Sequence, residues 1–208
     1  MPATGLPITL GAAFAFEKNA VVHTVEHLHQ VGSARVLAVA RAAGASASVT
    51  LPRGSTADAG SVAATALDLA AAYGTLVGDG MVARPTSVAR IDDPGATVYR
   101  LAPVRTRAIP AAVAKTVSAV LRTGPVVEPP PGISLSSFGR PVVRVATTSG
   151  RRSSWFIGCT PELSTAVVLV EPDPGGGPAH ALTPADLEAT GNPLGRAALI
   201  GVEVMAGR

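Results

Sequence analysis

Residues 23–27, His23-Thr24-Val25-Glu26-His27, set two imidazoles one helical turn apart with a carboxylate between them. This is the His-x-x-Glu-His spacing of inverted zinc peptidases, where the histidines bind the metal and the glutamate is the base. His29 or a distant acid would complete the ligand set. The five-residue pattern arises easily, however, and Val21, Val22, Val25, Leu28 and Val31 recur around it at helical spacing. They define an apolar face that leaves His23 and His27 on the solvated one. The reading adopted is a plain amphipathic helix, with no metal and no cofactor, and the zinc metallopeptidase is kept as an alternative. Cys159 is the single cysteine, which excludes an internal disulfide and any Cys-based zinc site. Its apolar strand makes it a small buried hydrophobe rather than a reactive thiol.

The elements that would position such groups centre on residues 139–170. Pro141 to Thr148 is rich in Val and Thr and reads as a strand. Ser149-Gly150-Arg151-Arg152 is a polar turn. Ser154 to Cys159 is a second strand, with Trp155 and Ile157 on one face and Phe156 on the other. Thr160-Pro161-Glu162 turns the chain again, and Ser164 to Val170 is apolar enough to be buried on both faces. The expectation is an antiparallel three-stranded meander.

Helices are expected over 9–31, ended by Gly32, and over Ala34 to Ala43, capped by Ser33 and ended by Gly44. Residues 45–63 form a small-residue loop or short strand. Thr65-Ala66-Leu67-Asp68 is a capping box that opens a helix running to about Val77. Strands at 86–91 and 96–101 make a hairpin, and Pro110 begins a helix to about Arg122. Residues 125–134 are a Pro-rich connection and 171–180 a mobile linker. Thr183 to Asp186 opens a short helix by a second capping box, and 197–205 forms a last one.

The chain has 208 residues, room for a single domain, and 47% are apolar while only 3% are aromatic. Ala, Val and Leu must therefore fill the core. The net charge is +3, almost all from arginine, because Lys18 and Lys115 are the only lysines. The arginines read as scattered and lack interleaved aromatics, so no nucleic-acid partner is expected. No run of 18 apolar residues occurs, and the N-terminal stretch lacks a basic region and a cleavage site, so no signal peptide or membrane anchor is read.

Trp155-Phe156-Ile157-Gly158, Thr160-Pro161-Glu162-Leu163 and Ala166-Val167-Val168 resemble, in order and spacing, a stretch of the penicillin-binding transpeptidases, chiefly the bifunctional class. Leu67-Asp68-Leu69-Ala70-Ala71-Ala72-Tyr73 with Gly78-Asp79-Gly80 is similar to a second family signature. Arg84-Pro85 and Asp92-Asp93-Pro94-Gly95 match the hairpin that follows it. The resemblance spans about residues 9–206. It implies an α/β fold, an antiparallel sheet flanked by helices on both faces, as the later portion of a transpeptidase domain. It also implies a serine acyl-transferase chemistry acting on D-alanyl-D-alanine peptides or β-lactams.

The family's catalytic Ser-x-x-Lys motif is absent, since Ala15 and Ala112 stand three residues before the two lysines. The family's Ser-x-Asn maps onto Glu17 and Asn19, the serine replaced by Glu17. Its Lys-Thr-Gly-Thr-Thr maps onto Arg144-Val145-Ala146-Thr147-Thr148. By resemblance the degenerate substrate-binding positions are therefore Glu17, Asn19, Arg144, Thr147 and Thr148, with no catalytic residue. Arg144 keeps a cation that can hold a carboxylate as a fork, and its other reading is an ordinary edge-strand charge.

The function expected is a catalytically inactive transpeptidase-like domain that scaffolds or binds in the cell wall. The alternative is an active transpeptidase fragment whose serine lies upstream. The implied partners are peptidoglycan stem peptides or cell-wall synthesis proteins, and the implied place is the extracytoplasmic cell envelope. An apolar face left uncovered by a missing upstream helix would favour self-association.

Overall fold

The computed structural model describes residues 32–49, 63–123, 141–147, 152–177, 179–183 and 200. The order is α1 (Gly32–Ala42), α2 (Ala66–Val77), β1 (Met81–Ala83), β2 (Arg90–Asp93), β3 (Ala96–Arg100), β4 (Arg105–Arg107), α3 (Ala111–Leu121), β5 (Val142–Thr147), β6 (Ser153–Cys159) and β7 (Ser164–Val170). The expected helix at 9–31, the Pro-rich connection and the second capping box lie outside the described residues. So does the expected closing helix, apart from Ile200, which is helical. No described helix is long and apolar enough to cross a membrane.

β5, β6 and β7 form an antiparallel meander in that order. Val142 pairs with Cys159, and Phe156 pairs with Val145 on one side and Val167 on the other. Opposed residues of adjacent strands share a face, so Val142, Ile157 and Cys159 lie together. They pack with Leu121 of α3, and Leu69, Tyr73 and Leu76 of α2 cover them. Phe156 lies on the opposite face and is 0% exposed, so both faces of the sheet are covered. Within the described residues the helices that meet this sheet are α2 and α3.

Small residues let α2 sit close to the sheet. A Cβ on Gly74 would stand 3.3 Å from Ser164 Cβ, and the Ser164 hydroxyl donates to the Ala70 carbonyl at 2.6 Å. The Ser118 hydroxyl of α3 donates to Leu76 O at 2.8 Å. The Thr75 hydroxyl donates to Ala43 O at 2.7 Å, which ties the end of α1 to α2. Each satisfies a buried polar group that would otherwise cost about 1–3 kcal/mol. A second apolar cluster of Ala43, Ile109 and Ala114 joins α1, α2 and α3.

The capping box at Thr65 is formed in full. Asp68 N–H donates to Thr65 Oγ1 at 3.1 Å, while Thr65 N–H and Oγ1 donate to Asp68 Oδ2 at 2.9 and 2.7 Å. Asp68 also reaches further than the cap requires: Oδ1 accepts from Ser46 N–H at 2.6 Å. The carboxylate thereby fixes the loop after α1 onto the start of α2. Burial would raise its pKa, but the hydrogen bonds from Ser46 and Thr65 outweigh that and hold it at about 2. The folded value lies below the unfolded one of about 3.9. This stability is therefore present above about pH 4 and lost as pH falls toward 2. Asp68→Asn is expected to lose about 2 kcal/mol at pH 7 and to flatten the acid limb, checked by urea unfolding at pH 7 and pH 3.

Three expectations need correction. Pro110 is the residue before α3, its N-cap, rather than its first residue. The first hairpin strand begins at Arg90, because Pro85 and the Thr86 hydroxyl's bond to Val88 O occupy the preceding backbone in a turn. Residues 171–180 are a closed loop rather than a mobile linker. Glu171 and His180 form an antiparallel bridge, and the Asp173 carboxylate accepts from Gly175 and Gly177 N–H at 2.9 and 3.0 Å.

Candidate functional site

The strand that carries the candidate ligand-holding positions is β5. It pairs with β6 alone among the described strands, so its other side is an edge within them. Arg144 pairs with Ile157, and Thr147, the last residue of the strand, pairs with Ser154. Thr148, Glu17 and Asn19 lie outside the described residues, as do His23, Glu26, His27 and His29. The structure thus brings Arg144 and Thr147 onto one strand three residues apart.

Arg144 is 6% exposed, which corrects its reading as an ordinary surface charge. The register explains the burial: Arg144 lies two residues from Val142 and opposite Ile157, both members of the cluster beneath α2 and α3. A side chain on that face is directed toward the domain interior. Truncation removes a buried aliphatic stem and the polar contacts of the guanidinium together. Arg144→Ala is accordingly expected to cost about 1–3 kcal/mol in chemical denaturation, with Arg144→Lys recovering part of the loss.

Cys159 is a free, fully buried thiol 3.1 Å from the Ser164 hydroxyl. Burial pushes its pKa up, which opposes thiolate formation and matches its reading as a buried hydrophobe. The Ser118 and Ser164 hydroxyls both donate to helix carbonyls and so serve packing. Among the described residues no group of three His, Cys, Asp or Glu side chains could hold a metal ion.

Two features of this region carried no clear signal in the sequence. The pairing of β1 with β4 sets Met81 opposite Arg107 and Ala83 opposite Arg105, yet Arg-Thr-Arg shows no apolar alternation. The Ser46–Asp68 bond joins residues 22 apart in sequence.

The described architecture is a three-stranded meander under two helices, with a two-tier β excursion between those helices. Over 99% of its length it superposes on penicillin-binding protein A from M. tuberculosis, solved as an imipenem acyl-enzyme complex, with a TM-score of 0.66 and 20% identity. The chain has the fold of a penicillin-binding transpeptidase domain. The transpeptidase fold also relates it to the PonA1 protein from Mycobacterium tuberculosis, solved in complex with penicillin V. That match has a TM-score of 0.50 and 22% identity over 71% of this chain. The chain spans 49% and 44% of those two chains, about half of each. No protein-family model matches the sequence, and no curated protein matches it either. At such identities the likeness speaks for the transpeptidase fold, and chemistry has to be argued from the residues themselves.

Proposed function

We propose that this chain is a transpeptidase-like domain of cell-wall peptidoglycan synthesis that is non-catalytic as it stands and acts by scaffolding or binding. The observation that carries the reading is the pairing of the transpeptidase fold with a 208-residue sequence in which neither lysine has a serine three positions before it. Covalent acyl transfer needs an activated serine, and the partner base must lie within hydrogen-bond reach. The Ser-x-Asn and Lys-Thr-Gly positions are altered in the same direction: Glu17 replaces a hydroxyl, Val145 another, and Ala146 a glycine. Arg144 keeps a cation on the strand where the resemblance puts a carboxylate holder. The partners proposed are peptidoglycan stem peptides or cell-wall synthesis proteins, the place is the extracytoplasmic envelope, and self-association through an apolar face belongs to the same proposal.

A second reading is favoured by one observation, the coverage of about half of each solved relative. In it the chain is part of an active D-alanyl-D-alanine transpeptidase whose serine lies in a preceding segment. One experiment weighs both. The 208-residue chain is expected to give no band with a fluorescent penicillin after denaturing electrophoresis. A band that unlabelled penicillin competes away would overturn the non-catalytic reading. Labelling that appears only in a longer gene product carrying an in-frame Ser-x-x-Lys would establish the second.

A further inference from the structure

The β excursion between α2 and α3 has an uneven charge. Residues 81–95 hold Arg84, Arg90, Asp92 and Asp93, which cancel. Residues 96–107, Ala-Thr-Val-Tyr-Arg-Leu-Ala-Pro-Val-Arg-Thr-Arg, hold three arginines and no acid. The arm's +3 equals the formal charge of the whole chain, and a second acid-free stretch, residues 140–152, holds Arg140, Arg144, Arg151 and Arg152. The arginines are therefore scattered in number but not in balance.

The same arm exposes apolar groups. Val98 is 67% exposed, Val104 71% and Tyr99 42%. Val98 is also the extra residue of a β-bulge: Ile91 pairs with Tyr99 and the adjacent Asp92 pairs with Thr97. A bulge leaves its extra residue outside the ladder and bends the strand. It also spoils the edge for pairing with another strand. Asp92 of β2 accepts from Arg90 on the same strand and from Thr97 on β3, at 2.7 Å each, while Asp93 is exposed opposite Ala96. Arg100 stands opposite Arg90, whose charge Asp92 balances. Arg100 and Arg105 form no ion pair among the described residues.

We propose that the arm Ala96–Arg107 is a docking surface for an anionic lipid bilayer, with Val98, Tyr99 and Val104 entering the interface and Arg100 and Arg105 meeting headgroup phosphates. Charge complementarity carries the choice of occupant. A protein interface of ordinary size needs about 20–30 residues a side with fixed complementarity, and a twelve-residue arm cannot provide it. A lipid surface makes no such demand. It rewards basic residues at about 1 kcal/mol each, and aromatic and aliphatic groups beside them.

The test is co-sedimentation of the full chain with vesicles of phosphatidylglycerol and phosphatidylcholine, against vesicles of phosphatidylcholine alone. Binding is expected only with phosphatidylglycerol and is expected to weaken as salt is raised. Arg100→Gln should weaken it about fivefold, the equivalent of one basic residue, and Arg100→Gln with Arg105→Gln about 25-fold. Val98→Ser with Val104→Ser should weaken it severalfold with the charge unchanged. All variants lie in an exposed arm, and thermal melts matching the parent would show that folding is intact. The proposal fails if phosphatidylglycerol gives no binding, or if any of these variants binds as the parent does. It also fails if soluble polyglutamate binds as tightly as the vesicles, which would make an acidic protein the better partner.

Discussion

Phe156→Ala is expected to destabilise the chain by about 3–5 kcal/mol, the range for a large aromatic removed from a closed site. Among the described residues Phe156 is the largest side chain that is completely buried, and it is 0% exposed. It sits on the central strand, between Val145 and Val167. The neighbours on both sides are fixed by ladder hydrogen bonds and cannot collapse into the void. Trp155, one residue earlier, is half-buried, and its ring N–H donates to the Ser153 hydroxyl at 2.8 Å. Its truncation is expected to cost less, about 1–3 kcal/mol. Equilibrium denaturation of both variants settles the order, and a larger loss for Trp155→Ala would mean that the half-buried ring on the α2–α3 face outweighs the closed Phe156 site on the opposite one.

Alternation alone showed that Trp155 and Phe156 face opposite ways. It could not show which of the two side chains is sealed, because that depends on elements remote in the chain. Where the signal was local, the reading held. The capping box at Thr65 and Asp68 and the extent of α2 came out as expected. So did the meander, with strand ends shifted by one residue at Val142 and Ser153. Valine-rich strands between Gly and Pro turns leave few other pairings. Arg144 shows the opposite case. Nothing in Val-Val-Arg-Val distinguishes an inward arginine from an outward one, since the strand is apolar on both faces. The register against Ile157 decides it. The candidate site was legible only as a family pattern, and the residues that would complete it, Glu17, Asn19 and Thr148, lie outside the described ones.

Gly80→Ala is expected to cost about 2–5 kcal/mol, as the sum of two separate penalties. Gly80 has φ +80, in the region where an L side chain costs about 1–2 kcal/mol. Its added Cβ would overlap the Ile109 carbonyl oxygen and stand 2.9 Å from the carbonyl carbon. That obstacle is backbone and cannot rotate away, so overpacking adds about 1–3 kcal/mol. The crossing is also fully bonded. Gly80 N–H donates to Thr75 O at 2.8 Å, and Gly80 O accepts from Ala108 and Ile109 N–H at 2.9 and 3.2 Å. Any shift that relieves the clash strains the link between the end of α2 and the start of α3. Gly95 supplies the control. It has φ +98 in the turn of the exposed hairpin, and nothing lies within 4 Å of its Cβ position. Gly95→Ala should show the conformational penalty alone, about 1–2 kcal/mol. Urea unfolding of the two variants separates the terms, and equal losses would mean that the backbone around Ile109 yields where the packing says it cannot.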